Sequence, residues 1–199
     1  YEFSRQVFVD VNFFIDNVFR YAQAGASALT PGMLIQAAAT DADYDAEPLA
    51  DSTDWTVPST STTLIRLSTA TSMATADTFD DGWLVVTAGT TGNEVGQQLR
   101  IESTPKTTAT AGPAYCPEVF LKDGDYPVAA LTTSNTVSLQ RNPYKRAIVA
   151  LDAAPTGTPV GVCPTNVTAA YYFWLQTWGL ACLRVSGTWD AGRSIIYAS

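Results

Sequence analysis

The stretch from Thr168 to Val185, TAAYYFWLQTWGLACLRV, restricts the fold more than any other part of the chain. Tyr171 to Trp174 are four consecutive aromatic residues, and Trp178 is a fifth. A membrane helix needs roughly 20 continuous apolar residues. Gln176, Thr177 and Gly179 interrupt the run and Arg184 closes it, so it does not read as a span. In an extended chain successive side chains alternate between faces. Tyr171, Phe173 and Leu175 then point one way, and Tyr172, Trp174 and Gln176 the other. A sheet with one wet face would carry polar residues on that face. Two arrangements fit. The strand is central and covered on both sides by its own chain, or one face is buried by a neighbouring copy or another protein. Tyr and Trp suit the second, because they bury a large area and keep a polar tip.

The rest of the chain reads as all-β. Charged residues make up only 15%, against roughly 25% in ordinary soluble domains. Threonine, serine and alanine fill the difference, and the branched Cβ of threonine suits a pleated surface. About ten short apolar runs, separated by turn signals at roughly 8–15 residues, give the pattern of a small sandwich or barrel. Pro31-Gly32 has the residues of a turn, with φ preset by proline and positive φ supplied by glycine. GTTGNEVG reads as a hairpin loop between two strands, and Asp123-Gly124 as a hairpin-type turn. TGTPVGVCP is a short strand flanked by prolines, expected near an edge or a bend. The acidic, Ser/Thr-rich residues 41–61 read as a long surface loop. In RQVFVDVNFFIDNVFRYAQAG, Val7, Val9, Val11, Phe13 and Ile15 alternate as in a strand, while Val7, Val11, Phe14, Val18 and Tyr21 also fit a helical stripe. The β-branched content favours the extended form. The expected organisation is an N-terminal arm at 1–27 and one β-domain at 28–199, with a loop excursion at about 41–61.

The formal net charge of −8 opposes binding to phosphate backbones and to anionic lipid, so neither nucleic acid nor a membrane is expected as a partner. There is no histidine, which removes the usual Ser-His and Cys-His nucleophiles. Cys116, Cys163 and Cys182 are widely spaced and form no metal knuckle; they read as three buried thiols, and the sequence leaves one disulfide open. Asp80-Asp81 and Asp123/Asp125 are carboxylate pairs of the kind a glycoside-cleaving enzyme would use. Each lies beside a glycine, where aspartate is a turn residue. In DADYDAEPLADS, Asp41, Asp43 and Asp45 match the first positions of a calcium loop. Ala46 and Ser52 stand where that loop needs glycine and glutamate, so a solvated acidic loop is the better reading. NVT at Asn166 matches a glycosylation triplet, relevant only in a secreted protein. The N-terminal residues show no secretory leader. No catalytic, cofactor-binding or metal-binding residue is expected, and the chain is not expected to be an enzyme.

LTPGMLI, DGWLVVTAGTTGNEVGQQLRI, YPVAALTTSNTVSLQRNPYKRAIVAL and GTPVGVCPTNVTAAYYFWLQTWGLACLRV together resemble the head decoration, or cement, proteins of tailed bacteriophages. The resemblance covers most of residues 28–198 and is one of phrase and order. It implies a small β-tulip-like barrel or sandwich in which Pro31-Gly32 opens the first strand. Gly161-Val162 and YYFWLQTWG would form the central hairpin. It further implies a structural protein without enzymatic activity or cofactor, on the outer capsid surface of the virion. Such a protein is often a homotrimer bound to the major capsid protein. The arm and the loop at 41–61 have no counterpart in that pattern.

The expected interface residues are Val7, Phe8, Phe13, Phe14 and Phe19 on the arm, and Tyr171, Tyr172, Trp174 and Trp178 in the aromatic run. The alternative is a phage tail or fibre β-protein whose aromatic residues contact host glycans.

Overall fold

The computed structural model describes the backbone of residues 5–8, and residues 17–50, 62–69, 73, 75–89, 92–106, 116–150 and 156–184 in full. The protein is all-β. In chain order the strands are β1 (Arg5–Phe8), β2 (Asn17–Gln23), β3 (Leu34–Gln36), β4 (Glu47–Pro48), β5 (Leu64–Arg66) and β6 (Trp83–Ala88). They continue with β7 (Gln98–Ser103), β8 (Glu118–Leu121), β9 (Thr136–Gln140), β10 (Ile148–Val149), β11 (Pro159–Val162) and β12 (Tyr172–Trp178). They form two antiparallel six-stranded sheets, ordered β1-β2-β12-β11-β3-β10 and β4-β9-β6-β7-β8-β5.

The division of the chain differs from an arm at 1–27 followed by one domain. Residues 1–39 and 143–199 form one compact unit and residues 40–142 a second. The supposed arm supplies β2, which lies between β1 and β12 and buries Val18 and Ala22. β2 pairs with β12, about 150 residues away, and no local sequence rule reports that pairing. Removing residues 1–20 would therefore take away half of β2 and the buried Val18.

The second unit is a small barrel. β6, β7 and β8 alternate buried and more exposed residues, as expected for a sheet with one covered face. Leu84, Ile101, Val119, Leu121, Val137 and Leu139 point into its core. The first and last strands of the order also meet. Leu49 bridges Leu67, the Ala50 amide donates to the Arg66 carbonyl at 2.9 Å, and the Ser68 amide donates to the Pro48 carbonyl at 2.8 Å. Joining the two edges satisfies backbone groups that an open sheet would leave unpaired.

Residues 41–50 are part of this barrel and not a surface loop. Ala42–Tyr44 form a 3₁₀ turn capped by the Asp41 carboxylate. Tyr44, Leu49 and Ala50 are buried, and Tyr44 meets the Phe79 ring edge-on at 5.1 Å. The acidic residues masked this apolar set in the sequence. Residues 51–61 lie outside the described residues. Burial pushes the Tyr44 phenol up to about 12, and the carboxylates of Asp41 and Asp43 add to the shift. An unfolded tyrosine ionises near 10, so the stabilisation from this group is complete below about pH 10 and is lost as pH rises through about 12. The loss is on the order of 3 kcal/mol. Tyr44→Phe keeps the ring contact and is expected to flatten that step, as read by denaturant midpoints between pH 9 and 12.

Two turn expectations change in detail. Asp123-Gly124 does turn: the Asp125 amide donates to the Lys122 carbonyl at 2.9 Å, and Gly124 has φ 85°. The strands on either side do not pair, since β8 joins β7 and β5 while β9 joins β6 and β4. β11 lies inside its sheet, between β12 and β3, and not near an edge; of the two expected settings it has the bend, a register shift between Pro159 and Gly161. Pro159 is tolerated because it is the first residue of the strand.

Within the first unit, Ala22, Leu29, Ile35, Cys163, Phe173 and Leu175 build a core on one side of the sheet. β11 and β12 are antiparallel neighbours at its centre. The cysteines are free and only Cys163 is buried; Cys116 is half-buried and Cys182 exposed. Burial raises the Cys163 thiol above its ordinary range, and its Sγ donates to the Thr165 carbonyl at 3.0 Å.

Candidate functional site

β12 covers one face and leaves the other open. Phe173 and Leu175 are 7% and 0% exposed, whereas Tyr172 and Trp174 are 48% and 39% exposed. A central strand whose outer face carries rings instead of polar side chains departs from the usual antiparallel pattern. Register brings β2 into the same patch, with Trp174 opposite Tyr21 and Tyr172 opposite Gln23. The Tyr21 and Tyr172 rings stack at 5.2 Å and 3° between planes, and Tyr21 meets Trp174 edge-on at 5.4 Å. Three rings therefore support one another on an open sheet face. Tyr21 was not among the expected interface residues. Nothing local singles it out, because its importance comes from lying opposite Trp174.

Trp178 belongs to a different surface. Gln176 pairs with Phe19 and Trp178 with Val18, so β12 takes two residues where β2 takes one. The resulting bulge turns Trp178 to the side of Val18, the residue whose own face is buried. Gln176 holds the bulge in place: its Nε2 donates to the Asn17 Oδ1 at 3.2 Å and to the Leu180 carbonyl at 2.8 Å. On that side Trp178, Thr177, Val18, Arg20 and Tyr144 line a cavity of about 310 Å³. Tyr171, also exposed, precedes the strand in a turn closed by its amide on the Thr168 carbonyl. The four expected ring residues thus divide between an outer face, a turn and a separate cavity.

The aromatic residues expected on the arm can be followed only in part. Phe19 is half-buried and opposite Gln176, in register with the outer face. Val7 and Phe8 lie in β1, opposite Val18 and Asn17. Their side chains, and all of Phe13 and Phe14, lie outside the described residues.

Charge divides as sharply as aromatic surface. Residues 40–142 hold 14 acidic and five basic side chains, a net −9, while the rest of the chain holds five acidic and six basic, a net +1. The described residues of the first unit contain no Asp or Glu, against Arg20, Lys145, Arg146 and Arg184. The ring-bearing unit is therefore the one relieved of the overall negative charge.

Comparison with protein-family models, with curated proteins and with solved structures found no match.

Five of the carboxylates named in the sequence, Asp41, Asp45, Asp80, Asp81 and Asp125, have structural partners. Asp80 Oδ1 accepts from the Thr104 amide at 2.8 Å, and Asp81 pairs with the Lys122 ammonium at 2.7 Å. The Arg100 guanidinium holds the Asp125 carboxyl below its ordinary range. Asp41 pairs with Arg141 at 2.6 Å, and Asp45 accepts from the Ser138 hydroxyl at 2.6 Å. Asp41 and Asp45 are thus engaged apart from each other, and no cluster of three metal-ligating side chains occurs among the described residues. What the open ring face offers chemically is burial. An aromatic side chain carries roughly 150–250 Å², so covering the exposed halves of Tyr172 and Trp174 would return about 2 kcal/mol each.

Proposed function

We propose that this is a structural virion protein that docks on the outer surface of a phage capsid and stabilises it by bridging neighbouring capsid subunits. One observation carries the reading: the central strand of the first unit leaves an aromatic face open, with Tyr172 and Trp174 braced by Tyr21. A rigid, preassembled ring cluster loses little side-chain entropy on docking, which is what an anchor at a protein interface needs. The resemblance of residues 28–198 to phage cement proteins supplies the partner, the major capsid protein, and a ring of three copies. Several modest contacts around such a ring reinforce one another. On this reading the protein performs no chemistry and takes no cofactor.

The test is direct. Purified protein is mixed with capsids that lack it and the particles are sedimented. Saturable attachment, and particles that survive heating better, are expected; an empty pellet fraction would end the proposal.

A second reading, a tail or fibre protein that binds host glycans, draws on the same rings. Sugars stack on open ring faces, and the Tyr21–Tyr172 stack covers one face of each ring. The geometry therefore favours docking against protein. Clear and specific binding on a glycan array would reverse that preference.

A further inference from the structure

Among the described residues, the cavity under Trp178 has a cation without an acid. Arg20 is half-buried, and its Cζ lies 5.0 Å from the centroid of the Tyr144 ring. Arg66, Arg100 and Arg141 each pair with a carboxylate, but among the described residues Arg20 pairs with none. A cation–π contact uses the face of the guanidinium and leaves its in-plane N–H donors available. Val18, Thr177 and Trp178 also line it. At about 310 Å³ the cavity admits one side chain, since it stands at the lower end of the roughly 300–1,000 Å³ usual for ligand pockets. A planar fork between aromatic walls selects a carboxylate carried beside apolar groups.

The barrel presents such a group. Asp123 is exposed at the tip of the Lys122–Asp125 turn and has no partner among the described residues. Tyr126 and Val128 follow it, 48% and 82% exposed. No other exposed acidic residue described in this unit has two exposed large apolar side chains following so closely. The turn is rigid: Gly124 takes the left-handed φ of 85°, and Asp125 is bound to the Arg100 amide and guanidinium.

We infer that the cavity around Arg20 of one copy receives the Asp123 turn of a second copy, with Tyr126 and Val128 packing beside Trp178. Cavity and turn are different surfaces, so the contact is heterologous, and a heterologous contact that closes generates a ring. The separation of charge between the two units would steer the encounter. This inference rests on the self-assembly part of the proposed function and is independent of the capsid. It is tested without capsids, so either can fail while the other stands.

The experiment is sedimentation equilibrium of the full chain at low and at high salt. The native chain is expected to form a closed oligomer that weakens as salt rises. Arg20→Asp and Asp123→Arg should each weaken association by at least about 30-fold. An equimolar mixture of the two variants should recover part of the loss, because the reversed charges meet at every mixed junction, two of the three in a ring of three. That recovery excludes simple misfolding as the cause. A native chain that stays monomeric at low salt overturns the inference. So does an oligomer that Asp123→Arg leaves intact.

Discussion

Replacing Tyr172 and Trp174 together with serine is expected to leave both units folded and to weaken attachment to capsids by about 100-fold or more. Both side chains point away from the core formed by Phe173 and Leu175, so their loss opens no cavity there. Serine on the outer face of an antiparallel strand is ordinary. Central aromatic residues at protein interfaces cost about 2–4 kcal/mol each when truncated, and multivalent attachment amplifies the loss. The readouts are a capsid cosedimentation isotherm and a denaturation curve. Unchanged attachment with an unchanged curve would remove the outer face from the mechanism. Tyr21→Phe, which keeps the stack with Tyr172, should cost far less, and Tyr21→Ala should approach the double variant by leaving both neighbours unsupported.

Gly161→Ala is expected to destabilise the first unit by about 3 kcal/mol. A Cβ at this position would lie 2.3 Å from the Gln176 carbonyl oxygen and 2.9 Å from Leu175 Cγ. The first atom is backbone of β12 and the second belongs to a fully buried side chain, so neither yields easily. The ladder between β11 and β12 shifts, and the bulge that aims Trp178 shifts with it. Urea unfolding followed by tryptophan fluorescence measures the loss. Gly92→Ala in the barrel provides the contrast: its Cβ meets nothing within 4 Å, and only the positive φ of 81° opposes it. About 1 kcal/mol is expected there. A loss at Gly161 no larger than that at Gly92 would show that the strands yield to the added Cβ and that their close approach does not require glycine.

Local chemistry was legible in the chain, and pairing was not. The runs that became β6, β7 and β12, the GTTGNEVG hairpin between β6 and β7 and the turn at Pro31-Gly32 all follow from residue type and spacing of two. These depend on φ/ψ preferences and on alternation, which act over a few residues. The aromatic run also declared its surplus of rings. Within the expected arm, Asn17–Gln23 is an internal strand, and a strand and an arm look alike until the partner strand is known.

What the sequence by itself determined is the all-β character, the acidic balance and the presence of more aromatic surface near Tyr171–Trp178 than one strand face can hide. The tertiary structure alone decided which rings act together. Tyr21 meets Trp174 and Arg20 meets Tyr144 across more than a hundred residues. A one-residue bulge sends Trp178 to the opposite side from Trp174. Sheet register converts a shift of one residue into a change of face, and register is fixed by pairings between distant segments that no local pattern encodes.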